Sequence, residues 1–357
     1  MKKIWTLLLC VGLFFSLAAC GDDKKEDTAV NYTYEIGFLT ASPDISIDDG
    51  DRIEAACNGV RQFAEEHGKT YKYYEAEKAD AKAQAERVGD AVNEGVKYIV
   101  AAGPEVKKGI AQAQKKYKDV TFIYLDGSLE QVGDNCVTVR FKPEQAGFLA
   151  GYSAVLEGKN RLAYLSEGKD KDAVSYGYGF LQGANVAAAR FGNYVVVHHK
   201  YGTGDESEKE IKQIAKNWYD GGVDAVFTYG KNVFEAVTDE AKQNDKVVIA
   251  SNTSQNYSKT VITSARKCYE DVVAAQLQAA YDGAFKGGKS LTMSVKNTGV
   301  GLDMEKSKFQ YFTKEQYKDI CKDLKDGTVK VLSAKDADSI DNLRKASGLY
   351  YIRIEQE

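Results

Sequence analysis

Short runs of β-branched and aromatic residues recur along this chain about every 30 residues, each followed by a stretch with helical periodicity. That alternation constrains the fold more than any other feature. The first set of runs is Glu35–Leu39, Tyr71–Tyr74, Tyr98–Ala101, Val120–Leu125 and Val137–Val139. After the first run, Ile53, Ala56, Cys57, Val60, Phe63 and Ala64 fall on one face of a helix, at i, i+3, i+4, i+7, i+10 and i+11. Strand, helix, strand in this rhythm is the signature of a parallel α/β sheet, because parallel neighbours need a crossover long enough to hold a helix.

A second set follows: Leu162–Leu165, Tyr194–Val197, Val223–Phe227 and Val247–Ala250, separated by helical stretches near 176–190, 206–219 and 232–243. Two arrays of similar length predict two doubly wound parallel-sheet lobes. From about residue 260 the order changes. A strand-like Thr260–Thr263 precedes a helix bearing Val273, Leu277, Ala280 and Ala284, then comes Leu291–Val295, then a helix bearing Tyr317, Ile320, Cys321 and Leu324. This segment is too short for a third domain, so it is expected to return and complete both lobes. The expected division is 34–141 plus about 267–297 for the first lobe, and 142–257 plus about 298–357 for the second, joined by a hinge.

The N-terminus belongs to neither lobe. Lys2 and Lys3 precede an almost unbroken apolar run from Ile4 to Ala19, which as a helix would span roughly 24 Å. That falls short of the ~30 Å hydrocarbon core, so residues 1–19 read as a secretory signal and not a membrane span. The run ends in Leu17-Ala18-Ala19-Cys20 and is followed by a charged, aperiodic stretch to about residue 33. Leu-Ala-Ala-Cys resembles a bacterial lipobox, which implies that Cys20 carries diacylglycerol and that 20–33 is a flexible tether. Several acyl chains on one residue anchor far better than one. The expected location is therefore the cell membrane, lipid-anchored on its extracytoplasmic side.

Charge and motif content exclude several functions. With 48 Lys plus Arg against 52 Asp plus Glu the net charge is −4, and loss of Lys2 and Lys3 takes it to −6, so a phosphate-backbone surface is not expected. No phosphate loop, zinc-protease motif, nucleophile elbow or Cys-x-x-Cys is present. Of the three histidines, His67 ends a helix beside Gly68, and His198 and His199 sit on a strand, where neighbours face opposite ways. No metal site, cofactor or catalytic residue is expected, and an enzyme is not. Once Cys10 and Cys20 are set aside, Cys57, Cys136, Cys268 and Cys321 remain, either as buried thiols or with one disulfide among them.

Polar residues at the carboxyl ends of strands are the candidate site, because loops and helix N-termini converge there in open α/β sheets. Asp126 follows Phe122–Leu125, Tyr229 follows Val223–Thr228, and Asn252 follows Val247–Ala250, while Asp48 and Asp49 lie in the loop after the first strand.

Several segments carry a resemblance. Phe141-x-x-Glu144-Gln145-Ala146-Gly147-Phe148-Leu149-Ala150-Gly151-Tyr152, Tyr176-Gly177-Tyr178-Gly179-Phe180-x-x-Gly183, Gly222–Tyr229, Thr263-Ser264-x-x-Lys267 and Asn297–Leu302 occur in this order. The sequence resembles the basic membrane protein family of bacterial lipoproteins, whose best-known members are purine-nucleoside-binding components of ABC importers. The resemblance runs from about residue 34 to the end. It implies a type I periplasmic-binding-protein-like fold, a nucleoside-like ligand in the interlobe cleft, an ABC permease as partner, and a monomer that binds no nucleic acid. Asp126 and Lys267 match a ribose-contacting Asp and a Lys of the family site, and Tyr176-to-Gly183 resembles a family turn, placing Tyr176 at the cleft.

Elsewhere the chain departs from the family pattern. Where the family has Asp-Asp-Lys-Ser-Phe-Asn-Gln, this chain has Asp48-Asp49-Gly50-Asp51-Arg52-Ile53-Glu54. Arg52 thus replaces the base-stacking Phe and Ile53 the Asn, and Asn252 stands where the family has a sugar-binding carboxylate. Arg can stack on a base or pair with an anion, so a different, anionic solute is a second expectation. A sensor or adhesion lipoprotein with the same fold is a third. The expected ligand set is Asp48, Asp49, Arg52, Asp126, Tyr176, Tyr229, Asn252 and Lys267.

Overall fold

The computed structural model describes residues 33–41, 52–252 and 257–357. Cys20, Asp48 and Asp49 lie outside the described residues. The chain runs β1 (Ile36–Thr40), α1 (Arg52–His67), β2 (Tyr71–Glu75), α2 (Ala81–Asn93), β3 (Tyr98–Ala102), α3 (Lys107–Lys116), β4 (Thr121–Leu125) and β5 (Cys136–Phe141). It continues with α4 (Pro143–Leu156), β6 (Arg161–Ser166), α5 (Lys171–Phe191), β7 (Val195–Tyr201), α6 (Glu208–Asp220), β8 (Ala225–Tyr229), α7 (Lys231–Gln243), β9 (Val247–Asn252) and β10 (Val261–Lys267). The remainder is α8 (Tyr269–Tyr281), β11 (Lys289–Met293), β12 (Val300–Leu302), α9 (Lys314–Asp326), α10 (Ile340–Ser347) and β13 (Ile352–Gln356).

The strands form two sheets. One has the order β11-β5-β4-β3-β1-β2 and is parallel throughout. The other has the order β12-β10-β9-β8-β6-β7-β13 and is parallel except for the antiparallel edge strand β12. β1 is buried along its whole length, and β3, β4 and β6 at all but their first residue, as strands covered by helices on both faces must be. Separate apolar clusters lie under the outer helices of each lobe, around Val88 and Ile110 in the first and around Trp218 and Val237 in the second. A single continuous core joins the inner faces of both sheets.

Three connections pass between the lobes: β5 into α4, β10 into α8, and β11 into β12. They lie against one another. The Lys142 amide donates to the Met293 carbonyl at 2.9 Å, and the Cys268 amide donates to Gly299 at 3.0 Å.

The segment Tyr176–Gly183 is helical within α5 and not a turn. Its glycines serve close packing. A Cβ on Gly147 or Gly151 of α4 would lie 2.2 or 2.1 Å from the carbonyl oxygens of Tyr176 or Phe180, and one on Gly179 or Gly183 of α5 would lie 2.0 or 1.9 Å from those of Glu144 or Phe148. Backbone therefore meets backbone, and only glycine fits at these four positions. α5 also begins five residues earlier than its periodicity indicates. Asp170 caps it, accepting from the amides of Asp172 and Ala173 at 2.7 and 2.8 Å. At the other boundary, α8 ends at Tyr281, leaving Ala284 beyond the helix.

Candidate functional site

The carboxyl end of β4 meets that of β10 across the two lobes. Lys267, the last residue of β10, is 2% exposed, and its Nζ donates to Asp126 Oδ2 at 2.7 Å and Asp172 Oδ2 at 2.5 Å. Asp126 belongs to the lobe of the first sheet. Asp172 lies in the first turn of α5, where the helix dipole favours a carboxylate. The Tyr269 hydroxyl adds a third bond, donating to the same Asp126 oxygen at 2.8 Å.

The electrostatics follow from this geometry. Burial works against ionisation of Asp126, but the Lys267 ammonium, the Tyr269 hydroxyl and the Arg52 charge overcome it and hold the carboxyl below its ordinary range. Burial equally opposes charge on Lys267, and the two carboxylates reverse that, keeping the ammonium protonated far above neutral pH.

Local structure around Asp126 depends on unusual backbone. Asp126 has φ of 55°, a left-handed conformation that Asp tolerates better than most residues. Gly127 follows it because a Cβ there would come within 2.0 Å of the Tyr124 ring. The Tyr124 hydroxyl in turn donates to the Gly103 carbonyl at 2.9 Å, tying the ends of β3 and β4 together. Beside them, Arg52 at the start of α1 reaches Glu105 with an Nη2–Oε1 distance of 2.7 Å. The Arg52 charge is thus already met by a carboxylate, which weighs against its serving as the main receptor for an anion.

In the second lobe, the Tyr229 hydroxyl donates to Asp170 at 3.4 Å, so the ends of β8 and α5 meet at the same edge as Lys267. Tyr176 is fully buried. Its ring packs against Phe227 and Tyr229, and its hydroxyl donates to the Ala265 carbonyl two residues before Lys267. It supports the wall from behind. Asn252 ends β9 opposite Arg266; its side chain lies outside the described residues.

Asp172, Asp170, Tyr269 and Glu105 were not among the residues singled out from the sequence. A helix-capping signal at Asp170 was available; the pairing of Asp172 with Lys267, 95 positions apart, had no local signal. Among the described residues no cluster of His, Cys, Asp and Glu suits a metal ion, and no helix is long and apolar enough to cross a membrane. His198 pairs with Glu355 and Glu357 at 3.2 and 3.0 Å, while His199 is buried and its pKa is pushed down to about 3. No disulfide joins Cys57, Cys136, Cys268 and Cys321.

Residues 42–337 match the Bmp family, described as ABC transporter substrate-binding protein PnrA-like. The chain belongs to this family. It is 23% identical over 345 residues to the CD4+ T-cell-stimulating antigen of Listeria innocua, covering 88% of this chain and 94% of that one. It is likewise 23% identical over 314 residues to the ABC transporter nucleoside-binding protein BmpA of Lactococcus lactis subsp. cremoris, covering 81% and 87%. Its fold is that of an ABC transporter system solute-binding protein from Aeropyrum pernix K1, with a TM-score of 0.69 at 18% identity, covering 88% of this chain and 98% of the other. The type I periplasmic-binding-protein-like architecture and the family membership agree with the sequence analysis. The family is one of ABC transporter substrate-binding proteins, not of enzymes.

Proposed function

We propose that this chain captures a nucleoside or nucleoside-like solute between its two lobes and delivers it to an ABC permease, as a monomer held on the extracytoplasmic side of the cell membrane through acylated Cys20. The observation that carries this reading is the Lys267 bridge. One ammonium at the end of β10 contacts a carboxylate from each lobe, so groups able to bind sugar hydroxyls are assembled only where the lobes meet. Asp126 offers carboxylate oxygens, Lys267 offers N–H donors, and Tyr229 lines the second-lobe wall beside them. Ribose hydroxyls, which both donate and accept, match such a set. A relative of similar length carries nucleoside-binding in its name, which supports the same ligand class.

Binding in this reading favours the lobes closed together, because the ligand contacts both, and the closed shape is what a permease recognises. Titration calorimetry of the purified protein with adenosine, guanosine, inosine and uridine tests it. At least one nucleoside should bind saturably, with affinity reduced at least about tenfold by Asp126→Ala, equivalent to ~1.4 kcal/mol. Binding of none of the four would overturn the ligand assignment. Release of Cys20→Ala protein from the cell surface is the expected result for the anchor.

A further inference from the structure

A cavity of about 590 Å³ opens on the other face of β10, where the lobe connections cross. Strand geometry places it there, since Arg266 precedes Lys267 and successive side chains point to opposite faces of a sheet. Cys268 from the second connection, Asp271 from the first turn of α8, and Val295 and Thr298 from the third connection also line it.

Arg266 is the unusual residue in this cavity. Its side chain is only 19% exposed, yet its nearest carboxylates, on Asp303 and Glu270, stand at 3.5 and 3.8 Å. Both are beyond hydrogen-bond distance. The Nε is buried and makes no hydrogen bond to the described residues. A guanidinium carries five N–H donors, and buried polar groups are almost always satisfied. Here charge is balanced at a distance while the buried Nε donor goes unused among the described residues.

The rest of the lining adds positive charge and an apolar surface. Lys318, Lys322 and Lys325 come from one face of α9, at i, i+4 and i+7, and none is in an ion pair among the described residues. Of the acidic residues in the cavity, Glu305 is already held by Lys314 at 2.6 Å. Tyr317 and Met304 supply apolar surface beside these cations, next to Gly301, which pairs with Arg266 in the sheet.

We propose that this cavity is a second binding site, distinct from the interlobe site, for a small organic anion whose carboxylate or phosphate group is taken by Arg266 and whose apolar body rests on Tyr317 and Met304. The oxygen pair of such a group matches the fork of a guanidinium and supplies the short bonds that Asp303 and Glu270 do not. The lysines of α9 raise the local concentration of the anion.

Titration calorimetry with phenyl phosphate and with inorganic phosphate as separate probes tests the site. Phenyl phosphate should bind saturably and at least several-fold more tightly than inorganic phosphate. Arg266→Gln should weaken it at least tenfold, while Asp126→Asn should leave it within twofold. Should Arg266→Gln fail to fold, the exposed pair Lys322→Gln and Lys325→Gln replaces it, with a several-fold loss expected. The proposal is overturned by no saturable binding, by equal affinity for the two probes, by binding that neither set of substitutions weakens, or by loss of binding in Asp126→Asn.

Discussion

Lys267 and Arg266 are neighbours on β10 and face opposite sides of the same sheet, yet their charges are met in opposite ways. Lys267 has two carboxylates at hydrogen-bond distance and almost no exposure. Arg266 has two carboxylates beyond that distance and a buried N–H unused among the described residues. A buried charge bonded to carboxylates from two parts of a structure holds those parts together, because removing it strands its partners. One with donors to spare adds little to stability and has bonds left for a ligand.

The largest effect separating the two concerns stability. Lys267→Met leaves Asp126 buried without its cation and should destabilise the fold by ~3–5 kcal/mol, whereas Arg266→Met should cost about 1 kcal/mol. Chemical denaturation of both variants measures this. Equal losses would break the contrast.

Glu144 sharpens it from the other side, as a buried carboxyl with no ion pair among the described residues. Burial pushes its pKa up from 4.5 to about 7. The folded state then holds a proton that the unfolded state releases between about pH 4.5 and 7, so folding is favoured below this window and stability falls as pH rises through it. Glu144→Gln should therefore gain about 3 kcal/mol relative to the parent at pH 8 and nothing at pH 4. Thermal unfolding of both proteins across that range gives the difference, and parallel curves would mean that Glu144 ionises normally.

The smallest expected effect is at Arg52. Its pair with Glu105 is about a third exposed, so Arg52→Ala should change stability by less than about 1 kcal/mol. If nucleoside affinity nevertheless falls more than tenfold in this variant, the guanidinium contacts the ligand directly despite its pairing.

Much of the fold was legible because buried parallel strands are apolar along their length and their crossover helices have a marked 3.6-residue period. Strand-end residues such as Asp126 and Tyr229 were legible for the same reason, since the end of an apolar run marks the edge of the sheet. The partners were not. Asp172 reaches Lys267 only through the docking of α5 onto the second sheet, and Tyr269 reaches Asp126 only where the second connection crosses. The glycines of α4 and α5 were visible as a family pattern, but their role in backbone contact requires both helices at once. β13, at the sheet edge, is fully buried only at Ile352 and carries a weak apolar signal.

Those glycines also bear on mechanics. With carbonyls seated against α-carbons at four glycines, α4 and α5 are locked backbone to backbone there, so the pair travels as one stiff beam. One end of the beam is attached at Lys142 to the first lobe, and its other helix carries Asp170, Asp172 and Tyr176. Bending between the lobes is therefore confined to Lys142 and to the two other connections, whose lengths border the cavity at Arg266. A molecule lodged there would sit at the fulcrum.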